Sequence, residues 1–379
     1  MHILLAPNAF KHSLSALDVA LAIEKGLRQS RLPCTCECFP VGDGGDGTGD
    51  LIINRFNGSR ISTSVQDPLG RKINSSFGWL KEEQTAIIEM ANASGLRLLE
   101  SVELAPLQAT SFGTGQQIRE SLERGARKVI IGMGGSATVD GGCGMLQALG
   151  IRFLDDHGLE LPGLPASLVN LATIDISHLD ERIRNTEIIV LCDVDNQLLG
   201  SNGSAAVFGP QKGASPADVK QLDAALARFS SVAGHQTGRD MAGIKYGGTA
   251  GGAAAGLYAL LGAQVVNGID FFLQLTDFDK ALERNQLVIT GEGSIDEQTL
   301  QGKAPFGVAA RARQKGLPVI ALAGKLPLLP SASLRNYFDV LLPIGHEPSD
   351  LAVALRSTAS NLIRTGTELG NLLALKINN

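Results

Sequence analysis

Short continuous apolar runs recur along the chain at residues 3–6, 129–131, 188–191, 287–290, 319–323 and 340–344, and several lead directly into Gly or Asp. Runs of this length suit strands buried on both faces. The segments between them carry helical signals. Ser15-Ala16-Leu17-Asp18 has the form of a capping box, and Leu17, Ala20, Leu21 and Leu27 then form one stripe. Thr114-Gly115-Gln116-Gln117 predicts a second helix start, with a stop at Gly125. Pro305 opens a third helix that ends near Gly316. Strands alternating with helices predict parallel sheets in a doubly wound α/β fold.

Two stretches break this rhythm. Residues 63–80 alternate polar and apolar positions around Asp67-Pro68-Leu69-Gly70, which predicts a β-hairpin, and residues 151–165 read as a short strand with turns. Both ends of the chain carry the strand–helix pattern. The expected organisation is therefore two α/β domains. One is Rossmann-like, with a parallel sheet built from both chain ends (residues 1–60 plus 286–379). The other, residues 61–285, is inserted and carries a mixed sheet.

Composition adds a glycine excess, 45 of 379 residues, against a usual share of about 7%. The glycines cluster, which points to loops that bring backbone close to a ligand. Apolar residues make up 44% and aromatics 4%, so aliphatic side chains must fill the core. A net charge of −5, one Trp and three Tyr, without a long basic run, argue against nucleic acid as a partner. No apolar run approaches membrane-spanning length, and the first residues lack a basic leader. The expectation is a cytoplasmic protein with a small-molecule substrate and no membrane partner. The oligomeric state leaves no mark in the sequence. Five cysteines, Cys34, Cys36, Cys38, Cys143 and Cys192, show no CxxC pair and read as free thiols.

Four loops carry candidate chemistry. Gly42-Asp43-Gly44-Gly45-Asp46-Gly47-Thr48 frees backbone N–H groups. Its two carboxylates would repel a bare phosphate, so a metal or a substrate hydroxyl suits it better. Residues 132–142, Gly132-Met133-Gly134-Gly135-Ser136-Ala137-Thr138-Val139-Asp140-Gly141-Gly142, follow a strand and precede an apolar helix, the phosphate-cradling arrangement. Asp193 and Asp195, in Cys192-Asp193-Val194-Asp195-Asn196, stand at a strand end where carboxylates face a ligand crevice, and can hold Mg²⁺ or accept a proton. Thr290-Gly291-Glu292-Gly293-Ser294-Ile295-Asp296 continues to Lys303, but departs from a Walker A loop at Glu297 and Ala304. Lys11 and Lys212 are further cations, and residues 247–252 are a small-residue segment that reads as hinge, helix start or ligand contact.

Phosphoryl transfer uses all of these parts: amides for phosphates, carboxylates for Mg²⁺, lysines for charge. A dinucleotide-dependent oxidoreductase is the rival, because residues 132–137 match G-x-G-x-x-A and Asp155 stands about 20 residues further on. That reading leaves the acidic loops unused. A binding protein without catalysis is the third class.

The chain resembles the bacterial type I glycerate kinases, which phosphorylate D-glycerate with ATP. The resemblance rests on APNAFKHSLSA at residues 6–16, GDGGDGT at 42–48, GGSATVDGGCGMLQALG at 134–150, CDVDNQLLG at 192–200, FGPQKGA at 208–214 and TGEGSIDEQTLQGKAP at 290–305, in order. It implies two α/β domains with the active site in the cleft between them, ATP and Mg²⁺ as cofactors, and 2-phosphoglycerate as product. Asn8, Ala9 and His12 stand where the family has Asp, Ser and Gly, Asp46 where it has Glu, and Val139 where it has Asn. The departures at Asn8 and Asp46 fall on the acceptor side of the reaction. On this basis Gly134, Gly135, Ser136 and Thr138, with Gly291, Gly293 and Lys303, are expected to meet the nucleotide. Asp43, Gly44, Gly45, Asp46 and Lys11 are expected to meet glycerate. Asp193, Asp195 and Asp43 are the metal candidates, and Asp193, Asp296 and Lys11 the catalytic ones.

Overall fold

The computed structural model describes residues 1–375. The chain divides into two compact units, residues 1–43 with 269 onward, and residues 44–268.

The first unit holds a five-stranded sheet in the order Val340–Pro343, Val319–Lys325, Leu287–Ser294, His2–Leu5, Thr35–Cys38, parallel throughout. Both chain ends build it, because the first strand pairs with Leu287–Ser294. From that pair the chain winds outward in both directions, so the order reverses between His2–Leu5 and Leu287–Ser294. Ligands of open α/β sheets bind outside the carboxyl ends of strands at such a reversal.

Helix Ala16–Gln29 is capped by Ser15, whose Oγ accepts from the Asp18 amide at 3.2 Å. Its buried face is Ala16, Val19, Ala20, Ile23 and Leu27, while Leu17 and Leu21 are exposed. Of the expected stripe, Ala20 and Leu27 face the core, whereas Val19 and Ile23 take the places expected for Leu17 and Leu21. This helix packs on Thr358–Leu373 through Gly26, where a Cβ would lie 2.2 Å from the Ile363 carbonyl oxygen. Pro305 does sit in the first turn of Ala304–Gln314, and Gly316 follows that helix at φ +71°.

The second unit holds a six-stranded mixed sheet in the order Gln264–Asn267, Glu187–Cys192, Lys128–Gly132, Thr85–Glu89, Lys72–Leu80, Ser59–Gln66. The first four strands are parallel and the last two form the antiparallel hairpin. Its turn is held by Asp67, whose Oδ1 accepts from the Leu69 and Arg71 amides, each at 2.9 Å. The short strands Arg152–Leu154 and Thr173–Asp175 pair separately. The expected helix start at Thr114 lies two residues late. Helix Phe112–Glu123 begins earlier, and Thr114 is buried with its hydroxyl 2.7 Å from that of Ser94.

The unit limits differ from 1–60 plus 286–379 and 61–285 for identifiable reasons. Helix Thr48–Arg55 belongs with the mixed sheet: Ile53 packs against Gly78, and Glu89 holds the amides of Gly47 and Gly49. Residues 269–285 belong with the parallel sheet through Phe278, in edge contact with Phe39 at 5.1 Å, and Asn285, which donates to Glu37 at 2.9 Å. All five cysteines are free, and no helix of the described residues is long and apolar enough to cross a membrane.

Candidate active site

In the second unit two glycine-rich loops meet at the carboxyl ends of the parallel strands. Gly44 adopts φ +91° and lies so near the end of strand Glu187–Cys192 that a Cβ would sit 2.8 Å from the Leu191 carbonyl oxygen. The Gly134 amide donates to the Gly44 carbonyl at 3.1 Å, and a Cβ on Gly134 would lie 2.5 Å from Gly45 Cα. Gly135, at φ +70°, reverses the chain before Ser136. Close backbone approach thus accounts for glycines at 44 and 134, and left-handed geometry for 44 and 135.

Ser136 Oγ accepts from the ammonium of Lys212 at 2.9 Å, and the Thr138 carbonyl accepts from the same group at 2.7 Å. Thr138 Oγ1 is buried without a hydrogen-bond partner. Burial lowers Lys212 to about 7, against the supporting charge of Asp140. Asp140 in turn accepts from Ser111 N (2.9 Å), Ser111 Oγ (2.7 Å), Gly142 N (3.0 Å) and Gly144 N (3.2 Å), so it locks the loop. The small-residue segment backs the same loop: Gly251 at φ +72° presses on the Thr138 carbonyl, its own carbonyl accepts from Gly141 N at 2.9 Å, and Gly252 starts helix Ala253–Leu261.

The first loop is less open to a ligand than its glycines suggest. Glu89 Oε1 accepts from Gly47 N at 2.8 Å and Gly49 N at 2.7 Å, and Gly44 N donates to Thr48 Oγ1 at 3.0 Å. Asp46 is paired with Arg97 at 3.0 Å, and Arg97 also bonds Asn92. An internal carboxylate therefore occupies the amides at this helix start. Burial raises Glu89 to about 7, outweighing the bond from Gly49, with Asp46 and Asp50 adding to the rise.

The folded protein holds the Glu89 proton more tightly than the unfolded chain does. That contribution to stability is complete below an ordinary carboxyl value of 4.5 and is lost as pH rises through about 7. Glu89→Gln keeps the Oε1 acceptor and removes the charge. Its unfolding free energy is expected to exceed that of wild type at about pH 8 by a margin on the order of 3 kcal/mol, at about 1.4 kcal/mol per tenfold change in proton affinity. Scanning calorimetry should show the margin closing near about pH 5; a margin equal at both would mean the carboxyl does not titrate there.

Asp193 is half-buried just past strand Glu187–Cys192, and Asp195 is exposed. Their loop is pinned: Thr249 Oγ1 donates to the Val194 carbonyl at 3.2 Å and Gly248 N to the Asn196 carbonyl at 2.9 Å. Asp155, the acid of the oxidoreductase reading, accepts from His157 N and Leu159 N, each at 2.9 Å, and so closes a surface turn.

In the first unit, the strand reversal gathers a second group. Asn8 N donates to the Gly291 carbonyl at 2.8 Å, and Asn8 Nδ2 to Asp43 Oδ2 at 3.0 Å; both side chains are buried. Glu292, also buried, has Lys303 Nζ 3.9 Å away and accepts from Thr299 Oγ1 at 3.5 Å. Burial lifts Glu292 to about 7; Lys303 and Lys11 pull it down, Asp43 and Asp296 push it up. Asp296 caps the turn Glu297–Gln301, accepting from Gln298 N at 2.9 Å. Gly291 serves sheet packing, since a Cβ would lie 2.2 Å from the Leu322 carbonyl oxygen, whereas Gly293 has ordinary room.

Asp43 belongs to the first unit, and Asp193 and Asp195 to the second. Among the described residues no group of three or more His, Cys, Asp or Glu is gathered for a metal. Magnesium needs no such group, because it binds through one or two carboxylates plus substrate phosphates and water. The hard oxygens of Asp193 and Asp195 fit that chemistry. Glu89, Glu292 and the role of Lys212 were missed in the sequence. Each Glu ends a buried strand or lies near its end, the same signal that marks Asp193.

The profile of the glycerate kinase family matches residues 3–374. The chain is 42% identical to the glycerate 2-kinase of Escherichia coli (strain K12) over 383 residues, covering 100% of both. It is 42% identical to a glycerate kinase of Haemophilus influenzae over 376 residues, 99% of this chain and 100% of that one. A crystal structure from Salmonella typhimurium LT2, assigned as glycerate kinase 2, superposes with a TM-score of 0.83 at 40% identity, over 98% of each chain.

Proposed function

Because the chain belongs to the glycerate kinase family, we propose that it transfers the γ-phosphoryl group of ATP to the 2-hydroxyl of glycerate, giving 2-phosphoglycerate and ADP. The observation that carries the nucleotide half is the built loop at residues 132–142, a strand end, a left-handed glycine and a buried lysine beneath Ser136. The 2-position is supported by the similarity to the Escherichia coli enzyme.

The Gly135 amide and the Ser136 hydroxyl take the nucleotide phosphates, while the Gly134 amide is spent on the Gly44 carbonyl and holds the two loops together; Asp193 with Asp195 would hold magnesium. The ion, when bound, offsets the charge of the phosphate oxygens. Lys11, exposed just after the first strand, takes the glycerate carboxylate. Glu292 accepts the hydroxyl proton: a carboxylate lifted to about 7 is a far better base at neutral pH than one at its ordinary value. Lys303, close to it, stabilises the ionised form. Asp296 is spent on its own helical turn and takes no part, while Asp43 orients Asn8.

Coupled ADP release with glycerate tests the activity, and phosphorus NMR of the product tests the position. A phosphorus split by a single methine proton is expected. Splitting by a methylene pair would move attack to the 3-hydroxyl, and no ADP release with any hydroxy acid would end the kinase reading. The base assignment has its own check. The acidic limb of the kcat/KM profile should follow a group near about 7, and Glu292→Gln should lower kcat by about 10²–10⁴-fold and remove that limb.

A further inference from the structure

Lys212 lies in the short turn Pro210–Lys212, is 3% exposed, and is too enclosed to meet a ligand itself. Gly213 behind it has φ +93° and no space for a Cβ, which would lie 2.6 Å from Leu104 Cβ, so the turn is held in place. The ammonium spends two of its hydrogens on Ser136 Oγ and the Thr138 carbonyl. An ammonium has three donors and no acceptor. Ser136 Oγ must therefore receive that bond on a lone pair, and its own hydrogen has to point elsewhere. We infer that Lys212 is a positioning residue that keeps the Ser136 hydroxyl turned away as a donor for a nucleotide phosphate oxygen.

The inference rests on the reading of residues 132–142 as the phosphate loop and adds a control to it. Asp140 is the charged group whose field acts on Lys212; it favours the ammonium, while burial favours the amine, with the balance at about 7. Below that pH the ammonium forces Ser136 to donate outward. Above it the neutral amine keeps two hydrogens but gains a lone pair, so the Ser136 hydroxyl is no longer barred from turning inward and the amine competes with the phosphate for that donor. Nucleotide affinity falls as pH rises through neutrality.

Calorimetric titration with magnesium and a non-hydrolysable ATP analogue, from about pH 6 to about pH 8.5, tests this. A donor to a charged phosphate is worth about 1.5–3 kcal/mol, so wild-type Kd should rise about tenfold or more across the range. Ser136→Ala should start weaker by a similar factor and lose that part of the slope; the analogue's own titration is common to both proteins and cancels. Ser136→Thr should restore affinity and slope. Lys212→Met, with melting checked, should bind weakly with the slope gone. If Lys212→Met fails to fold, the Ser136 pair still decides. A wild-type slope retained in Ser136→Ala, or full affinity in a folded Lys212→Met, would overturn the inference while nucleotide binding stands. No binding by wild type would instead overturn the phosphate-loop reading, and this inference with it.

Discussion

Asp193→Asn is expected to fold as wild type and to lose about 10²–10⁴-fold in kcat, the range for removing one acid–base or charge-stabilising group. Asn keeps the shape of Asp and one carbonyl oxygen, but not the charge that binds a divalent cation. The surrounding loop is held by main-chain carbonyls at Val194 and Asn196 rather than by the Asp193 carboxylate alone, so its path should survive the change. The checks are steady-state kinetics at several magnesium concentrations together with a melting curve. A higher magnesium requirement with partial recovery at saturation assigns Asp193 to the ion. Near-normal turnover with intact folding would remove it from the mechanism.

The fold was legible because burial on both faces writes itself as unbroken apolar runs. All six runs became parallel strands, divided between two sheets. The hairpin was legible from alternation and from Asp67 and Gly70 in its turn. What escaped were choices that only tertiary neighbours make. Thr114 looks like a cap, yet its hydroxyl is needed against Ser94 in the interior. Leu17 and Leu21 look like core, yet Val19 and Ile23 take those places.

The candidate site divides the same way. Glycine clusters announced close backbone approach, and Gly44, Gly134 and Gly251 provide it. They did not announce which amides were already taken. Glu89 comes from a strand some forty residues away and fills the Gly47 and Gly49 amides, so a loop whose glycines suggest free amides is internally satisfied there. Lys212 in FGPQKGA looks like one more surface cation, whereas it is buried under Ser136. Asp296 looks like a catalytic acid, whereas its oxygen closes a helical turn. Charge and residue type can be read along a chain; the partner that spends a hydrogen bond cannot.

Gly134→Ala is expected to cost about 10²-fold or more in kcat/KM by adding a single methyl group. The position has an ordinary, negative-φ or extended backbone rather than a left-handed one, so alanine meets no backbone strain and the effect is steric. Its Cβ would sit 2.5 Å from Gly45 Cα, 2.6 Å from Asp46 N and 2.7 Å from the Gly45 carbonyl carbon. These are main-chain atoms, which cannot swing aside as a side chain can. Ordinary carbon contacts begin near about 3.5 Å, so the two loops must part by about 1 Å. A misplacement of that size costs about 10²-fold in a reaction that depends on positioning. It also stretches the 3.1 Å bond from Gly134 N to the Gly44 carbonyl. Gly345→Ala, where a Cβ meets open space, is the matched control and should leave kinetics and melting unchanged. Kinetics with ATP and glycerate varied separately, alongside melting, provide the measurement. Wild-type kcat/KM in a folded Gly134→Ala would show that the close approach of these loops has no part in catalysis.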